Sequence, residues 1–420
     1  MGRRLWVVVH RWAGLYMALI LTVAGLTGAI LAFDEPLNEW LNPGLFKIPA
    51  QAGPRLDPYA LREAALALEP RARINFVTLD PDPGDVGSFY LEPRLDPVTG
   101  QPYDLGPTSL LLDPYTGAER GRLSDEALWP VTRKNLTQVL FALHTSLCAG
   151  EVGRWAFGIA AILWTLDSFV ALYLTFPARR RSGTSGSGDA APRRSWLVRW
   201  RPSWLVKWGA GAWRLNFDLH RASGLWLWPL LFAFATSSVA YNLPEVYGPV
   251  MRGIFRMPDP WAAIPELPSP RPDPKLGFRE AAAVGARLTE AEGRRLGFTV
   301  RQAHGHRFFM YDAAKGVYSY PSHTDGDVGF HYVGATVYLD GDTGEFRGIA
   351  LASGGHWATT FTTWVSAIHT AVFEGQLMHA VACLVGLVTA GLSITGVYLW
   401  LKKRSIRRRA APNAGRSAPA

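Results

Sequence analysis

Four long apolar stretches divide the chain, and two segments of mixed polar and apolar pattern separate them. The stretches long enough to cross a bilayer core of about 30 Å as helices are Trp12–Phe33, Trp155–Pro177, Ala222–Tyr241 and Leu377–Leu401. The intervening segments, Asp34–Leu143 and Asn242–Ile368, alternate helix-like and strand-like patterns and are rich in Pro, Gly and Asp. The pattern therefore predicts a membrane α-helical protein with four transmembrane helices and two α+β domains outside the membrane.

Apolar spacing also predicts the elements inside these segments. Helices are expected at Pro58–Leu68 and Phe278–Leu288 and, just before the second and fourth spans, at Asn135–Leu147 and Thr359–Val372. Strands are expected at Phe89–Leu91, Ser109–Leu112, Arg307–Tyr311 and Ala335–Leu339. Four tryptophans spaced four residues apart from Trp196 predict a helix in the lipid headgroup region, broken in two at Pro202.

The basic residues predict the orientation in the membrane. Of the 43 Lys and Arg residues, two lie at the N terminus, nine in the loop Ala178–Arg214 and seven in the tail from Lys402, with Asp189 as the one acidic residue in these regions. By the positive-inside rule, both termini and this loop are expected in the cytoplasm, and both large segments in the periplasm, outside the inner membrane. The net charge of +9 is thus a topology signal and does not predict nucleic-acid binding.

This orientation divides the chain into eight parts. They are 1–33, the cytoplasmic N terminus and first span; 34–143, the first exported domain; 144–177, a pre-span helix and the second span; 178–214, a basic, Trp-rich cytoplasmic loop; 215–241, the third span; 242–368, the second exported domain; 369–401, a pre-span helix and the fourth span; and 402–420, a basic cytoplasmic tail. Composition agrees with membrane spans, since 48% of the residues are hydrophobic and 18% are charged, against about a quarter charged in soluble chains.

The two halves of the chain repeat each other. The repeated motifs are His-Arg-x-x-Gly-Leu at His10 and His220, Leu-Asp-x-x-Thr-Gly at Leu112 and Leu339, and His-Thr at His144 and His369. Tyr173 follows His144 by 29 residues, and Tyr398 follows His369 by the same distance. Each half therefore reads span, domain, span, and the axis that relates the halves is expected along the membrane normal. In the Asp-x-x-Thr-Gly motif, Asp is expected to cap a turn and Gly to supply a positive φ.

This ordered set of motifs resembles the PepSY-associated transmembrane proteins, also described as iron-regulated inner-membrane proteins. The modules ending in "LDPYTGAERG" and "YLDGDTGEFRG" resemble PepSY domains, and the resemblance covers roughly residues 5 to 405. Members of that family include periplasmic ferric-siderophore reductases with two b-type haems, so the resemblance implies this activity and these cofactors. The chain departs from the pattern at Leu166-Asp167-Ser168, where the fourth span has Gly391-Leu392-Ser393, and the departure leaves the histidines untouched.

Four histidines occupy the duplicated positions at the ends of the spans. Two symmetry-related imidazoles can occupy the two axial positions of one haem iron. We therefore expect His10 and His220 to ligate one haem b on the cytoplasmic side, and His144 and His369 to ligate a second on the exported side. The sequence contains no Cys-x-x-Cys-His, so both haems are expected to be non-covalent.

Other residues near these histidines are candidates for contacts with haem. Arg11, Arg221 and Arg154 suit the propionates because guanidinium groups pair with carboxylates, although positive-inside anchoring explains Arg11 and Arg221 equally well. His379 takes the place of Arg154 in the second half. It can replace His369 as a ligand, hydrogen-bond a propionate or simply pack, and the sequence leaves these three roles open.

Three further features have alternative interpretations. A second metal site is an alternative to ordinary strand and loop positions for His304, His306, His323, His331 and His356. Asp167, within the second span, either relays protons or contacts a quinone, or it is a buried carboxyl that is protonated or hydrogen-bonded. Cys148 and Cys383 are expected to be apolar fillers rather than a disulfide.

The family resemblance implies an enzyme, and the duplicated histidines agree with it. We expect an inner-membrane dihaem oxidoreductase that passes electrons across the membrane to a ferric siderophore or similar ferric chelate in the periplasm and releases Fe(II). The sequence has no Gly-x-Gly-x-x-Gly after a strand, no Walker loop and no flavin signature, so the electrons are expected from a quinol or a reductase on the cytoplasmic side. The alternatives are a non-catalytic PepSY membrane protein that regulates exported peptidases, and an accessory protein or permease for siderophore uptake.

Overall fold

The computed structural model describes residues 2–49, 51, 53–124, 128–178, 195–302, 307–329, 333–373 and 376–410. In chain order its helices are α1 (Arg3–Leu31), α2 (Asp34–Leu41), α3 (Pro58–Leu68), α4 (Leu136–Ser146), α5 (Gly150–Thr175), α6 (Trp196–Trp200), α7 (Ala212–Trp226), α8 (Trp228–Asn242), α9 (Pro244–Phe255), α10 (Pro260–Ala263), α11 (Phe278–Leu296), α12 (Trp357–His369) and α13 (Gln376–Ala410). Its strands are β1 (Ala72–Arg73), β2 (Phe76–Leu79), β3 (Gly87–Tyr90), β4 (Glu92–Pro93), β5 (Ser109–Leu112), β6 (Glu119–Leu123), β7 (Arg307–Asp312), β8 (Val317–Ser322), β9 (Ala335–Asp340) and β10 (Phe346–Leu351).

The described residues pack into two compact units. The helical unit takes its residues from Met1–Ala32, Phe141–Pro244 and Ala380–Ala420, and the sheet unit takes its residues from Phe33–Leu140 and Glu245–His379. Each unit therefore draws on both halves of the sequence. The segments predicted as two exported domains supply one unit between them.

Three helices among the described residues are long and apolar enough to cross a membrane, namely α1, α5 and α13 up to Ile406. Helices α7 and α8 meet the same criterion only as a pair, and they are bent by 72° where they meet. The predicted third span, Ala222–Tyr241, is therefore not one straight helix. Leu227 leaves the helical conformation at φ −96° and ψ 9°, and Pro229 lies in the first turn of α8, where its missing N–H breaks no helical bond. The chain is a multi-pass membrane protein.

The helices extend beyond the apolar stretches that predicted them. Helix α1 begins at Arg3, so His10 lies inside it rather than just ahead of it. The residues between Arg3 and His10 include no Gly or Pro, so nothing in the sequence ends the helix earlier. Helix α13 likewise continues to Ala410 and includes the first basic residues of the predicted cytoplasmic tail.

Small residues let the helices of the helical unit approach closely. Met17 and Ile20 of α1 pack against Phe157 and Ala160 of α5 in one buried cluster. Helix α1 also contacts α13, where a Cβ added to Gly386 would lie 2.6 Å from the carbonyl oxygen of Gly25. Only glycine permits such backbone approach, which replaces the hydrophobic driving force that is missing between helices in lipid.

The sheet unit contains an antiparallel five-stranded sheet in the order β10-β9-β8-β7-β2. Its edge strand β2 comes from the first half of the chain and pairs with β7 from the second, with Phe76 opposite Met310. Val77 of β2 is buried in one core with Phe309 and residues of α11. A three-stranded sheet, β3-β5-β6, and the short pair β1-β4 complete the first segment. The two segments therefore share a core and a sheet.

The predicted elements of these segments are mostly present. Helix α3 and strand β5 have the predicted bounds, and β7 and β9 each extend one residue further than predicted. Strand β3 ends at Tyr90 instead of Leu91, and α11 continues eight residues past its predicted end. The pre-span helices are present as α4 and α12.

The two Asp-x-x-Thr-Gly turns have the same geometry in both halves. Asp113 Oδ1 accepts hydrogen bonds from the backbone N–H groups of Tyr115 and Thr116, and Asp340 Oδ1 accepts the equivalent pair from residues 342 and 343. Gly117 and Gly344 both have φ +72°. The expected turn chemistry is therefore present twice.

The tryptophan segment forms two short pieces, as predicted. Helix α6 is followed by a 3₁₀ turn at Arg201–Trp204, which contains Pro202. Trp200 contacts Trp204 with ring centroids 5.0 Å apart, and Trp204 contacts Trp226 of α7 at 4.9 Å. Because these rings pack against one another and against a helix, the segment has an internal packing role that the prediction of a lipid-facing helix did not include.

Candidate site at the paired histidines

Two of the predicted haem ligands lie side by side in the helical unit. His10 is in α1 and His220 is in α7. Their ring centroids are 6.3 Å apart, and their ring planes make an angle of 64°. The rings are 210 positions apart in the chain, so the fold brings the repeated histidines together.

His10 is held by a carboxylate from α5. Its Nδ1 is 2.7 Å from Asp167 Oδ2, and the Asp167 residue is only 6% exposed. A carboxylate oxygen accepts the Nδ1 hydrogen, so this contact favours the tautomer with its lone pair on Nε2. The other carboxylate oxygen, Oδ1, is buried and has no hydrogen-bond partner in the part of the chain that the structure describes.

His220 is held by a neutral group from α13. Its Nδ1 is 3.0 Å from Thr395 Oγ1. The Thr395 hydroxyl donates its own hydrogen to the Gly391 carbonyl oxygen at 2.6 Å, so it accepts from His220. Nδ1 of His220 is therefore the protonated nitrogen, and Nε2 carries the lone pair. The ring lies beside Gly396, where an added Cβ would lie 3.4 Å from His220 Cε1.

His144 is oriented in the same way against α1. Its Nδ1 lies 2.9 Å from the Ala24 carbonyl oxygen, which can only accept, and 3.2 Å from Thr27 Oγ1. The ring packs on Gly28, where an added Cβ would lie 2.8 Å from His144 Cε1. All three histidines thus hydrogen-bond through Nδ1, which is the usual arrangement when Nε2 binds a metal.

The remaining two candidate histidines belong to the sheet unit. His369 is the last residue of α12, and His379 lies in the first turn of α13. The His379 ring has its edge toward Phe33, with the centroids 6.1 Å apart. His144 and His369 lie in different units, so their predicted pairing stays a prediction.

The three candidate arginines differ in their surroundings. Arg221 donates to Asp218 Oδ1 at 2.8 Å and to the Pro202 carbonyl oxygen, while Arg154 pairs with Glu151 and donates to the Asn242 carbonyl oxygen. Arg11 lies over the Trp12 ring, at 5.6 Å from its centroid. Its buried Nε has no partner among the described residues, and the same is true of Arg221 Nε. These two arginines therefore retain donors for a ligand.

The other predicted metal ligands have structural environments where they are described. His323 Nδ1 is 2.6 Å from Asp327 Oδ2, and His356 caps α12 by accepting from the Ala358 N–H. Residues 304, 306 and 331 lie outside the described residues. Within the described ranges, no group of three or more His, Cys, Asp or Glu side chains is arranged to hold a metal ion. Cys148 and Cys383 are not joined by a disulfide among the described residues.

Two polar residues of this site were not assigned to it from the sequence. Asp167 was singled out, because a carboxyl group within an apolar span is costly, but its contact with His10 was not predicted. Thr395 gave no signal, since threonine is common in membrane helices and bonds its own backbone. The duplication could not identify either residue, because Asp167 corresponds to Leu392 in the register set by Tyr173 and Tyr398.

The chain matches a known family of membrane proteins. A family model described as the PepSY-associated TM region matches residues 7–403. The matched range contains all five candidate histidines and all three candidate arginines. No curated protein matches the chain.

Proposed function

Because the chain belongs to the PepSY-associated transmembrane family, we propose that it is an inner-membrane dihaem oxidoreductase. It passes electrons across the membrane to a ferric siderophore, or a similar ferric chelate, in the periplasm and releases Fe(II). The observation that carries this proposal is the pair formed by His10 and His220, each hydrogen-bonded through Nδ1.

The distance between these two rings suits a single metal ion between them. An imidazole nitrogen lies about 2.0 Å from a bound metal ion, and about 1.1 Å from its own ring centre, so two imidazoles on opposite sides of one metal have centroids about 6 Å apart. The 6.3 Å separation of His10 and His220 agrees with this value. Haem needs no more than two axial protein ligands, because the macrocycle supplies the other four nitrogens.

The same residues would hold the two haems. His10 and His220 would ligate the first haem, and His144 and His369 the second. Arg11 and Arg221, whose Nε atoms have no partner among the described residues, would donate to propionates, and Arg154 is a third candidate. His379 keeps its three possible roles of ligand, propionate partner and packing residue. When bound, haem supplies a one-electron carrier whose potential depends on its axial ligands and their surroundings.

The proposed substrate, a ferric chelate, is the one that the family resemblance implies, and the chemistry of iron explains the release of its metal. A chelated Fe(III) ion takes one electron and becomes Fe(II), whose lower charge binds hard oxygen donors less strongly, so the metal is released. The basic residues near both termini and in the 178–214 loop support a cytoplasmic location for these segments, and this supports a periplasmic acceptor side. The donor is a quinol or a reductase on the cytoplasmic side, since the sequence has no nucleotide or flavin motif of its own.

The proposal is tested by a reduction assay. Purified protein, chemically reduced and mixed with a ferric siderophore, is expected to reoxidise and to release Fe(II) to a ferrous-specific dye. His144→Ala is expected to slow this step, whereas His356→Ser, which keeps a helix-capping side chain outside both histidine pairs, is expected to match the parent. Haem-loaded protein that never transfers electrons to a ferric chelate would contradict the proposed activity.

The alternatives give different results in the same preparation. Protein that binds no haem but alters the activity of an exported peptidase would support a regulatory PepSY protein. Vesicles that take up the intact ferric siderophore without Fe(II) release would support an accessory protein or permease.

Alkaline phosphatase fused after Arg120 or Asp340 is expected to be active, and after Ser185 inactive; the reverse pattern would contradict the periplasmic acceptor side.

A further inference from the structure

The three oriented histidines of the helical unit differ in the charge of their partners. His10 bonds to the carboxylate of Asp167, His220 to the hydroxyl of Thr395, and His144 to a backbone carbonyl and a hydroxyl. A carboxylate is the strongest acceptor of the three, and it alone brings a formal negative charge. The Nδ1 partners of the repeated histidines therefore differ in charge.

The carboxylate of Asp167 is also poorly neutralised by the protein. It is buried, and among the described residues its one ion-pair partner is His10. Its Oδ1 atom has no hydrogen-bond partner there. Burying a charge costs free energy unless it is paired. A carboxylate kept in this position at such a cost indicates a role at His10 rather than in general packing.

The duplicated sequence shows that the carboxylate is confined to one half. Asp167 lies six residues before Tyr173, and Leu392 lies six residues before Tyr398. Leu392 has an uncharged, aliphatic side chain, whose carbons lie near the space beside Gly224. The negative charge at this position is therefore present in the first half of the chain only, and the repeat does not supply a second one.

A carboxylate that accepts from Nδ1 changes the metal-binding strength of the imidazole. It draws the Nδ1 hydrogen toward itself, and electron density at Nε2 rises. A stronger donor and a nearby negative charge both stabilise Fe(III) relative to Fe(II), so the reduction potential falls. A hydroxyl or a carbonyl partner orients the imidazole in the same way but raises the electron density at Nε2 less.

We infer that Asp167 is a positioning residue that fixes the tautomer of His10 and lowers the potential of the haem held by His10 and His220. That haem is then more reducing than the haem held by His144 and His369, which directs electrons toward the periplasmic side. This inference rests on the proposed function, and it assigns to Asp167 the driving force for transfer between the two haems.

The test is a spectroscopic redox titration of the purified, haem-loaded protein. Asp167→Asn keeps the size and an oxygen acceptor but removes the charge, and it is expected to raise the midpoint potential of one haem only. Asp167→Glu restores the charge and is expected to return that potential toward the parental value. Thr395→Val is the matched control, because it removes the neutral partner of the other ligand of the same haem and is expected to cause a smaller shift.

A gain of charge provides a second, independent variant. Thr395→Asp places a carboxylate next to His220 and is expected to lower the same potential below that of the parent. This result does not depend on whether Asp167→Asn retains its haem. If the midpoint potentials of Asp167→Asn equal those of the parent, the inference is wrong. If Asp167→Asn loses its haem, the same conclusion follows from parental midpoint potentials in Thr395→Asp.

The outcome also separates this inference from the proposed function. A parent protein without haem would overturn the proposed function, and with it the basis for the titration. A different result is a parent that binds two haems whose midpoint potentials do not change when the charge at positions 167 and 395 is changed. That result would overturn the role of Asp167 and leave the proposed function intact. A shift of both haems by the same amount would also contradict the inference, because it would indicate a general structural change.

Discussion

The first and second repeats of the chain agree closely in one region and differ in another. Their Asp-x-x-Thr-Gly turns have the same hydrogen bonds and the same glycine conformation. Their histidine-bearing helices do not match, since α1 is a single helix of 29 residues whereas α7 ends at a 72° bend. The partners of the two histidines also differ, with a carboxylate at His10 and a hydroxyl at His220.

This contrast separates what a repeated sequence determines locally from what it leaves to distant residues. A turn depends on four or five neighbouring residues, so repeating them repeats its structure. The surroundings of a histidine depend on other helices, where the two halves have diverged. At the haem assigned to His10 and His220, the two repeated ligands therefore differ in the charge of the group that holds them.

The largest expected effect is the loss of a haem when its ligand is removed. His10→Ala and His220→Ala are expected to lose the same haem, and His144→Ala and His369→Ala the other, because each iron has two axial ligands. The pyridine haemochrome assay should then give about half the parental haem in each variant. Loss of both haems from every correctly folded variant, or four different spectra, would contradict the pairing.

A smaller but selective loss is expected at Gly28. The Cβ of Gly28→Ala would lie 2.8 Å from His144 Cε1, so the ring must move and its bond to the Ala24 carbonyl oxygen must weaken. Occupancy of the haem assigned to His144 should fall while the other haem is retained, as measured by haem content and spectrum.

The matched control for Gly28 is Gly14→Ala in the same helix. A Cβ at Gly14 meets no described atom within 4 Å, so this variant should keep the haem assigned to His144. Both substitutions raise helix propensity by about 1 kcal/mol, which removes propensity as an explanation for any difference. Equal haem content in the two variants would show that His144 does not depend on the space at Gly28.

The two turns should respond equally to the same substitution. Gly117 and Gly344 both have φ +72°, where a Cβ costs about 1 kcal/mol or somewhat more. Gly117→Ala and Gly344→Ala are therefore expected to lower the melting temperature of the full-length protein in detergent by similar, small amounts. A large effect at one turn and none at the other would show that the halves are less alike than their geometry indicates.

The smallest expected effect is a dependence on pH in the sheet unit. The hydrogen bond from Arg71 holds the pKa of the Glu69 carboxyl below its usual value of 4.5, with help from Arg122. A lowered folded pKa means that ionised Glu69 stabilises the fold above the unfolded pKa, and that this contribution disappears as pH falls through the folded pKa.

Glu69→Gln should therefore lower the melting temperature at pH 7 and flatten its decline below pH 4.5. The exposed pair Asp57–Arg279 is the matched comparison, because an exposed ion pair contributes little. Asp57→Asn should leave the melting temperature close to that of the parent. Parallel pH profiles for the parent and Glu69→Gln would exclude this role for Glu69.

Much of the architecture could be predicted because it depends on local patterns. The apolar stretches identified α1, α5 and α13, and strand patterning identified β5 with its bounds. The bend after Trp226 was missed because the run from Ala222 to Tyr241 contains no charged residue that would interrupt a predicted span. The pairing of β2 with β7 was missed because strand pairing between distant segments leaves no local signal.

In the candidate site, the histidines could be predicted from the sequence and their hydrogen-bond partners could not. Duplication located His10 and His220, and the fold brings them together. The identity of their Nδ1 partners could not be predicted, because Asp167 and Thr395 lie on other helices at positions that do not correspond in the two halves. A single sequence specifies which residues are present, but the helix packing determines which of them meet.

The central claim is that the chain binds two haems through paired histidines, and the haem content of the purified protein tests it most directly. Full-length protein isolated in detergent should give two haem b per chain in the pyridine haemochrome assay, with the absorbance spectrum of bis-imidazole, low-spin iron when reduced. A correctly folded preparation from haem-replete cells that remains colourless would contradict the account.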